Sequence, residues 1–320
     1  MVLAAVAFAL TASSEPVDLY RQFKAGEELE YEVKSNLMVE RRHYLTSTYI
    51  PDEIDQNYKF TMKVVEILAD GFAKIDYRRP EMTIILGETA FEPPVKEIEE
   101  LNWRFTMTLS PVNALTDVID LTPKKDDDDG DGGMLRALSH RAKGQAQDSV
   151  MNFMVELYRL ALFVGSLDTA IDLAPRLPLF EVEPGETWEE TVAYQPQKLK
   201  GSGKVRPQRL DYTYTFIGLI EKPDGTKVYR VTADLELDTD AAPFVNDMLG
   251  MKPSESGLSK IILKIKSHID FDLDPETKRT LSARARSDGE AAIWLTQLPT
   301  VAYIEEKIRG RTTMKLLRSQ

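Results

Sequence analysis

Three aspartates alternate along an acidic, glycine-rich stretch near the middle of the chain, and their spacing is the one best suited to a cation. Asp127, Asp129 and Asp131 occupy alternate positions in KKDDDDGDGG, and Gly132 follows them. Carboxylate oxygens at this spacing can converge on calcium, and the glycine permits the sharp turn of a calcium loop. The twelfth position of such a loop is a bidentate glutamate, whereas here it is Leu138. We expect a solvated linker and keep calcium as the alternative.

The histidines and serines do not form a recognisable catalytic set. His43 stands in a polar stretch, His140 in the connector and His268 on the polar face of a strand, and the GxSxG, HExxH and phosphate-binding glycine motifs are missing from the sequence. The 52 acidic residues keep a hydrolase with a carboxylate pair as an alternative, although the sequence singles out no pair. We therefore expect a non-catalytic protein.

The composition restricts the classes of function. The 320 residues carry a net charge of −12 and include no cysteine. A chain this acidic is a poor binder of nucleic acid. Disulfides, zinc–cysteine sites, thiol catalysis and lipidation of an N-terminal cysteine are excluded. We expect no nucleic-acid partner and no cofactor apart from the calcium alternative.

The N-terminal residues, MVLAAVAFALTASSEP, resemble the later part of a secretory signal peptide. Val2 to Leu10 form a short apolar run, and Ala12 and Ser14 supply the small residues that precede cleavage before Glu15. A run this short does not span a bilayer. We therefore expect a signal-peptide remnant and export of the protein to a periplasm or to the outside of the cell. An N-terminal strand is the alternative.

A second apolar segment, Gln147 to Val164, is predicted to form a buried helix. Val150, Met154 and Leu157 recur at helical spacing, and further apolar residues widen the stripe until it nearly surrounds the second half of the helix. The helix either fills the core against a sheet or lines a lipid cavity, where methionines suit re-packing around varied chains. The predicted cavity lining is Met151, Phe153, Met154, Leu157, Tyr214, Phe216, Ile265 and Phe271.

Alternating polarity predicts antiparallel strands on both sides of this segment. Aromatic and aliphatic residues alternate with polar ones through Tyr58–Val64 and Tyr212–Phe216, for example. Such alternation is typical of sheets with one solvated face. Hairpin turns are predicted at Asp70-Gly71, Asp224-Gly225 and Asp288-Gly289.

The same order of elements occurs twice. A Gly-Glu pair opens a strand, an aromatic strand and an Asp-Gly turn follow, and a return strand leads to a Phe/Leu strand that ends at proline. This order predicts an internal duplication, with convergent β patterning as the alternative. We predict an α+β fold, mainly antiparallel β, with two similar β-meander halves packed around a central helical connector, and the halves form either one continuous sheet or two domains. The predicted divisions are a signal-peptide remnant at 1–14, an N-terminal β half at 15–123, an acidic linker at 124–133, a helical connector at 134–178 and a C-terminal β half at 179–320.

The chain resembles a group of exported bacterial β-rich proteins of unknown function in FKAGEELEYEV, YKFTMKVVEILADGFAKI, RLPLFEVEPGETWEE and IDFDLDPETKRTLSARA. More distantly, it is similar to the half-barrel lipoprotein carriers of the bacterial envelope, in which a curved sheet and helices hold acyl chains. These resemblances imply no catalytic residues. The function that we predict is a non-catalytic cell-envelope protein that binds a lipid-like apolar ligand between sheet and helix. The alternatives are a structural or interaction module with a filled core, whose partner is an envelope protein, and the hydrolase.

Overall fold

The structure is a computed structural model that describes residues 16–86, 89–91, 103–120, 174–194 and 206–320. Twelve strands and two short helices form within these ranges. The strands are β1 (Glu28–His43), β2 (Ile50–Ile67), β3 (Ala73–Leu86), β4 (Thr89–Phe91), β5 (Trp103–Leu109), β6 (Leu115–Asp120), β7 (Thr187–Tyr194), β8 (Gln208–Glu221), β9 (Lys227–Asp240), β10 (Leu258–Leu273), β11 (Thr280–Leu295) and β12 (Ile304–Ser319), and the helices are α1 (Ala242–Leu249) and α2 (Pro253–Ser256). Neither helix is long and apolar enough to cross a membrane.

All the described strands join one antiparallel sheet. The order across the sheet is β6-β5-β3-β2-β1-β12-β11-β10-β9-β8-β7, and β4 pairs with β3 outside this path. Read from the other edge, the strands follow the chain from β7 to β12 and continue with β1 to β6. The pairing of β1 with β12 joins the two series, and it runs from Leu29 opposite Ser319 to His43 opposite Ile304.

The α+β prediction is wrong. An α+β fold has a substantial helical part, whereas the described residues form twelve strands of one antiparallel sheet and only two short helices. The sheet is continuous because β1 and β12 use their backbone hydrogen bonds for each other, so neither series has an edge at the join. The predicted helix at 147–164 lies outside the described residues, as do the predicted signal remnant at 1–14 and the acidic linker at 124–133. The division of the chain into these segments stays a prediction.

One face of the sheet, which we call the inner face, carries the apolar side chains. Successive side chains point to opposite faces of a strand, and in each long strand the apolar set falls on the same side. A row across seven strands shows this, because its members are paired neighbours and all are buried: Tyr58, Val33, Met314, Ala283, Phe271, Val231 and Phe216. The predicted alternation with one apolar face is confirmed.

The opposite face, which we call the outer face, is a lattice of charges. Lys266 contacts Glu236 at 2.6 Å and Lys264 contacts Asp238 at 3.4 Å, each pair across β9 and β10. These side chains are more than half exposed, so each pair adds little to stability. Their effect is to keep this face in water.

Two of the three predicted Asp-Gly turns are confirmed, and the third is wrong. Gly71 and Gly225 have φ values of 75° and 83° and turn the β2–β3 and β8–β9 hairpins. Asp288 and Gly289 lie within β11 instead, opposite Lys266 and Ile265 of β10. Gly289 is needed there for space, because an added Cβ would lie 2.5 Å from the carbonyl oxygen of Lys264.

Two chain segments, residues 16–27 and 174–186, link the edges of the sheet at one end, which we call the closed end. The amide of Leu177 donates to Val112 in the β5–β6 turn, and the amide of Gly185 donates to Phe216 of β8. The chain from Leu177 to Gly185 reaches at most about 29 Å, whereas the β5–β6 turn and β8 would be roughly 40 Å apart in a flat sheet. The sheet therefore curves at this end.

The first of these segments, residues 16–27, belongs to the core. Val17 and Val182 exchange two backbone hydrogen bonds of 2.9 and 3.0 Å, and the amide of Arg21 donates to Pro111 at 2.8 Å. Leu19, between them, is fully buried together with Leu177. The closed end is thus sealed by side chains that come from outside the strands.

Candidate ligand-binding site on the inner face

The structure brings four of the predicted lining residues to the inner face. Tyr214, Phe216 and Phe271 are buried at 3%, 1% and 1% exposure, and Ile265 is buried at 7%. Phe216 and Phe271 flank Val231 in one row across β8, β9 and β10. The other predicted lining residues (Met151, Phe153, Met154 and Leu157) lie outside the described residues, as do the calcium candidates Asp127, Asp129 and Asp131.

Small side chains interrupt the apolar inner face near its middle. We call this area the central opening and define it by five residues that point inward yet stay partly exposed: Ser35, Ser267, Ala285, Ser287 and Gly289. The hydroxyls of Ser267 and Ser287 lie 2.7 Å apart on neighbouring strands. The opening is therefore weakly polar and walled by β10 and β11, with Ser35 on β1.

Apolar side chains beside the central opening are more exposed than those on either side of it. Towards the closed end, Val33 is 0% and Phe271 is 1% exposed, whereas Leu237 and Ile265 beside the opening are 9% and 7% exposed. Beyond the opening, Ile304 is again 1% exposed. Leu237 and Ile265 are therefore less completely covered than Val33, Phe271 and Ile304 on either side of the opening.

A charged pair lies on the inner face beyond the opening. The Nε atom of Arg41 donates to Glu306 at 2.8 Å, and the Glu306 side chain is fully buried. Both residues stand at inward positions of paired strands, opposite each other on β1 and β12. A buried carboxylate is costly without such a partner, so this pair fixes the β1–β12 join at that level. Leu37, Val39 and Arg41 occupy alternate positions of β1, so the sequence pattern could have placed Arg41 on the inner face.

A second polar cluster lies at the closed end. Arg21 is 5% exposed, and its Nη1 atom donates to Asn113 Oδ1 at 3.3 Å. The Nε and Nη2 atoms of Arg21 have no hydrogen-bond partner among the described residues. Burial lowers the pKa of Arg21 below its usual value, while Tyr31 and Glu27 act in the opposite direction. No sequence pattern singles out this residue, because segment 16–27 has no strand period.

The cluster borders a small cavity. Its free volume is about 10 Å³, which is room for about one water molecule. Its lining combines polar groups of the closed end with apolar side chains of the inner face: Arg21, Tyr31, Phe60, Met62, Leu109, Asn113, Ala174, Thr280 and Met314. The Thr280 hydroxyl is buried and also has no hydrogen-bond partner among the described residues. This cavity is too small for a lipid chain in the arrangement shown.

Two of the three histidines lie within the described residues, on β1 and β10. His268 lies on the outer face between Asp234 at 2.7 Å and Asp270 at 3.7 Å, and its side chain is half exposed. His43 stacks edge-on against Tyr303 at a strand end, and His140 lies outside the described residues. Within the described ranges, no three potential metal-ligating side chains cluster.

No family model and no curated protein sequence matches the chain. Among solved structures, lipovitellin is a distant neighbour at 10% identity and a TM-score of 0.48, covering 93% of this chain. The chain spans only 26% of that lipovitellin chain. DynF from the dynemicin biosynthesis pathway of Micromonospora chersina gives 10% identity, a TM-score of 0.22, and coverage of 98% and 92% of the two chains. A DUF1329 family protein from Desulfovibrio piger gives 7% identity, a TM-score of 0.11, and coverage of 92% and 85%. Likenesses at these scores carry no functional argument, so the proposals below rest on geometry.

Proposed function

We propose that the protein is a non-catalytic, exported cell-envelope protein that binds a lipid-like apolar ligand against the inner face, at the central opening. The observation that carries this proposal is the set of small, partly exposed residues in the middle of an otherwise large-residue apolar face. Protein interiors are packed as densely as organic crystals. Space above serines, alanine and glycine between rows of leucine and isoleucine therefore suits an apolar chain.

The composition of the site also favours a ligand over chemistry. The three serine hydroxyls of the opening already have hydroxyl partners, because Ser267 and Ser287 face each other at 2.7 Å and Ser35 lies 3.0 Å from Thr312. Binding sites for small apolar molecules have this character, with mostly hydrophobic walls and few polar groups. The apolar run at 2–10 supports export.

The second candidate is an interaction module, and an exposed apolar group at the other end of the sheet favours it. Tyr44, Leu45, Ile50 and Val301 are between 42% and 73% exposed. They lie around the β1–β2 turn, where the amide of Tyr44 donates to Tyr303. Exposed apolar groups of this kind mark contact surfaces. In this case the inner face would be filled by the chain itself.

Native mass spectrometry with lipid extraction tests the proposal, using full-length protein exported by a bacterial host and purified without detergent. We expect a stoichiometric apolar molecule to accompany the protein. Ser287→Trp should remove it, because the new ring fills the opening. The matched control is Arg286→Trp, which adds the same ring to the outer face of the same strand. An unchanged apo mass after incubation with envelope lipids would leave the interaction module.

A further inference from the structure

We infer that Arg21 is the anchor for the carboxylate of an anionic amphiphile whose apolar chain lies along the inner face. This inference rests on the proposed function and names the class of ligand. Its basis is a buried guanidinium that has two unpartnered donors and borders a cavity with an apolar wall.

The donor geometry of Arg21 selects the ligand group. Its Nη1 atom is engaged with Asn113 at 3.3 Å, whereas Nε and Nη2 are free of partners among the described residues. Nε and Nη2 form one edge of the guanidinium plane, and their two N–H bonds are nearly parallel. This edge matches the two oxygens of a carboxylate in a bidentate pair. The hydroxyl of Thr280, which borders the same cavity, is a third free donor.

The charges around Arg21 leave one positive charge without a counter-charge, although the guanidinium also lies over the Phe23 ring, 4.5 Å from its centroid. Glu27 is the nearby carboxylate, and it pairs with Arg279 at 2.9 Å. Arg21, Arg279 and Glu27 together therefore carry a net charge of +1, and Arg21 and Glu27 are both buried. An arginine stays protonated in proteins, and a buried charge without a counter-charge is costly. A monoanion at Arg21 would complete the balance.

The cavity walls point to an amphiphile and not to a free anion. Phe60, Met62 and Met314 of the inner face line the same cavity as Arg21. Methionine side chains are flexible and re-pack readily, so they can move aside for a chain although the present space holds about 10 Å³. Met314 is two residues from Thr312 on β12, and Thr312 Oγ1 lies 3.0 Å from Ser35 Oγ in the central opening. The distance along the strand is about 7 Å, so a short alkyl chain joins the two sites.

Binding of dodecanoate, dodecanol and acetate to the full chain, measured by calorimetry at pH 8, tests the inference. We expect dodecanoate to bind about 10- to 100-fold more tightly than dodecanol, as fits a charge-assisted bidentate pair, and acetate to bind far more weakly. Arg21→Met should abolish the preference for the acid and leave dodecanol binding unchanged. Arg318→Met is the control, because Arg318 lies near the same end, is 57% exposed and pairs with Glu30 on the outer face.

The outcomes separate the two proposals. Equal binding of dodecanoate and dodecanol by the unmodified protein would overturn the Arg21 anchor and leave the apolar site in place. Binding of neither would overturn both. Acetate binding as tight as dodecanoate would replace the amphiphile by a small free anion and overturn the inference. The acid-to-alcohol ratio of the unmodified protein decides the question even if Arg21→Met does not fold, and Arg21→Lys, which retains the charge, should keep part of the preference.

Discussion

The buried carboxylate of Asp272 should be one of the most sensitive single positions in the sheet. Asp272 is 3% exposed, although it stands at an outer-face position of β10. Arg230 donates to its Oδ1 atom from Nε at 3.0 Å and from Nη2 at 2.7 Å. Lys222 lies 2.7 Å from Oδ2, and Ser282 donates to Oδ2 at 3.0 Å. Four contacts therefore hold one carboxylate between three strands.

We predict that Asp272→Asn lowers the free energy of unfolding by about 2–4 kcal/mol at pH 7. Removing one member of a buried ion pair costs about 3–5 kcal/mol. The loss here should lie about 1 kcal/mol below that range, because Arg230 and Lys222 are 21% and 27% exposed and can be hydrated in the variant. Urea unfolding followed by circular dichroism measures the difference.

The difference should depend on pH in a known direction. Burial alone would raise the pKa of Asp272, but hydrogen bonds from Lys222 and Arg230 outweigh it and hold the pKa below its usual value. A depressed pKa in the folded state means that the stabilisation is present above the unfolded pKa, about 3.9. It is lost as the pH falls through the lower folded value. The two proteins should therefore converge below about pH 4.

Glu236→Gln is the matched control for Asp272→Asn. Glu236 pairs with Lys266 at 2.6 Å on the same face, but both side chains are about three-quarters exposed. Its loss should cost less than about 0.5 kcal/mol. Equal costs for the two variants, or a cost of Asp272→Asn that is constant from pH 7 to pH 3, would refute the reasoning from burial.

Two further substitutions test the closed end and the central opening. Leu19→Ala should lower the free energy of unfolding by about 2–5 kcal/mol, because Leu19 is fully buried. Its control, Leu45→Ala, is at a 73% exposed position and should change the free energy little. Equal effects of the two variants would show that residues 16–27 do not belong to the core. Gly289→Ala should lower the midpoint of urea unfolding, because the new Cβ has no room beside β10. Glycine-to-alanine changes within a strand usually raise this midpoint. A raised midpoint would therefore contradict the close approach of β10 and β11.

The strands and their inward sides could be predicted from the sequence, because the period of two is local and uninterrupted in the long strands. The order of the strands could not. β1 pairs with β12, and the contact between Ser35 and Thr312 joins positions 277 residues apart. Nothing in either strand marks the other as its partner. The sequence therefore suggests the other half and the central helix as covers for each apolar face, whereas the two halves extend the same sheet.

Local turn chemistry explains the error at Asp288-Gly289. Asp-Gly pairs favour hairpin turns, and Asp70-Gly71 and Asp224-Gly225 behave in this way. In β11 the pairing with β10 on one side and β12 on the other overrides that preference. The glycine is retained because of a contact between strands, which no local pattern reports. The unpartnered donors of Arg21 likewise could not be predicted from the sequence, because the surroundings of Arg21 come from segments far apart in the sequence.

The central position of the β1–β12 pair has a consequence for biogenesis. Strands β1 to β6 can form hairpins as soon as they are made, but β1 keeps a free edge of sixteen residues until Ile304–Ser319 has been synthesised. Long unpaired edges invite association with other chains, and pairings of such large sequence separation form slowly. The nascent chain is therefore exposed to aggregation for most of its synthesis, and it should depend on a holding chaperone until the middle of its own sheet is complete.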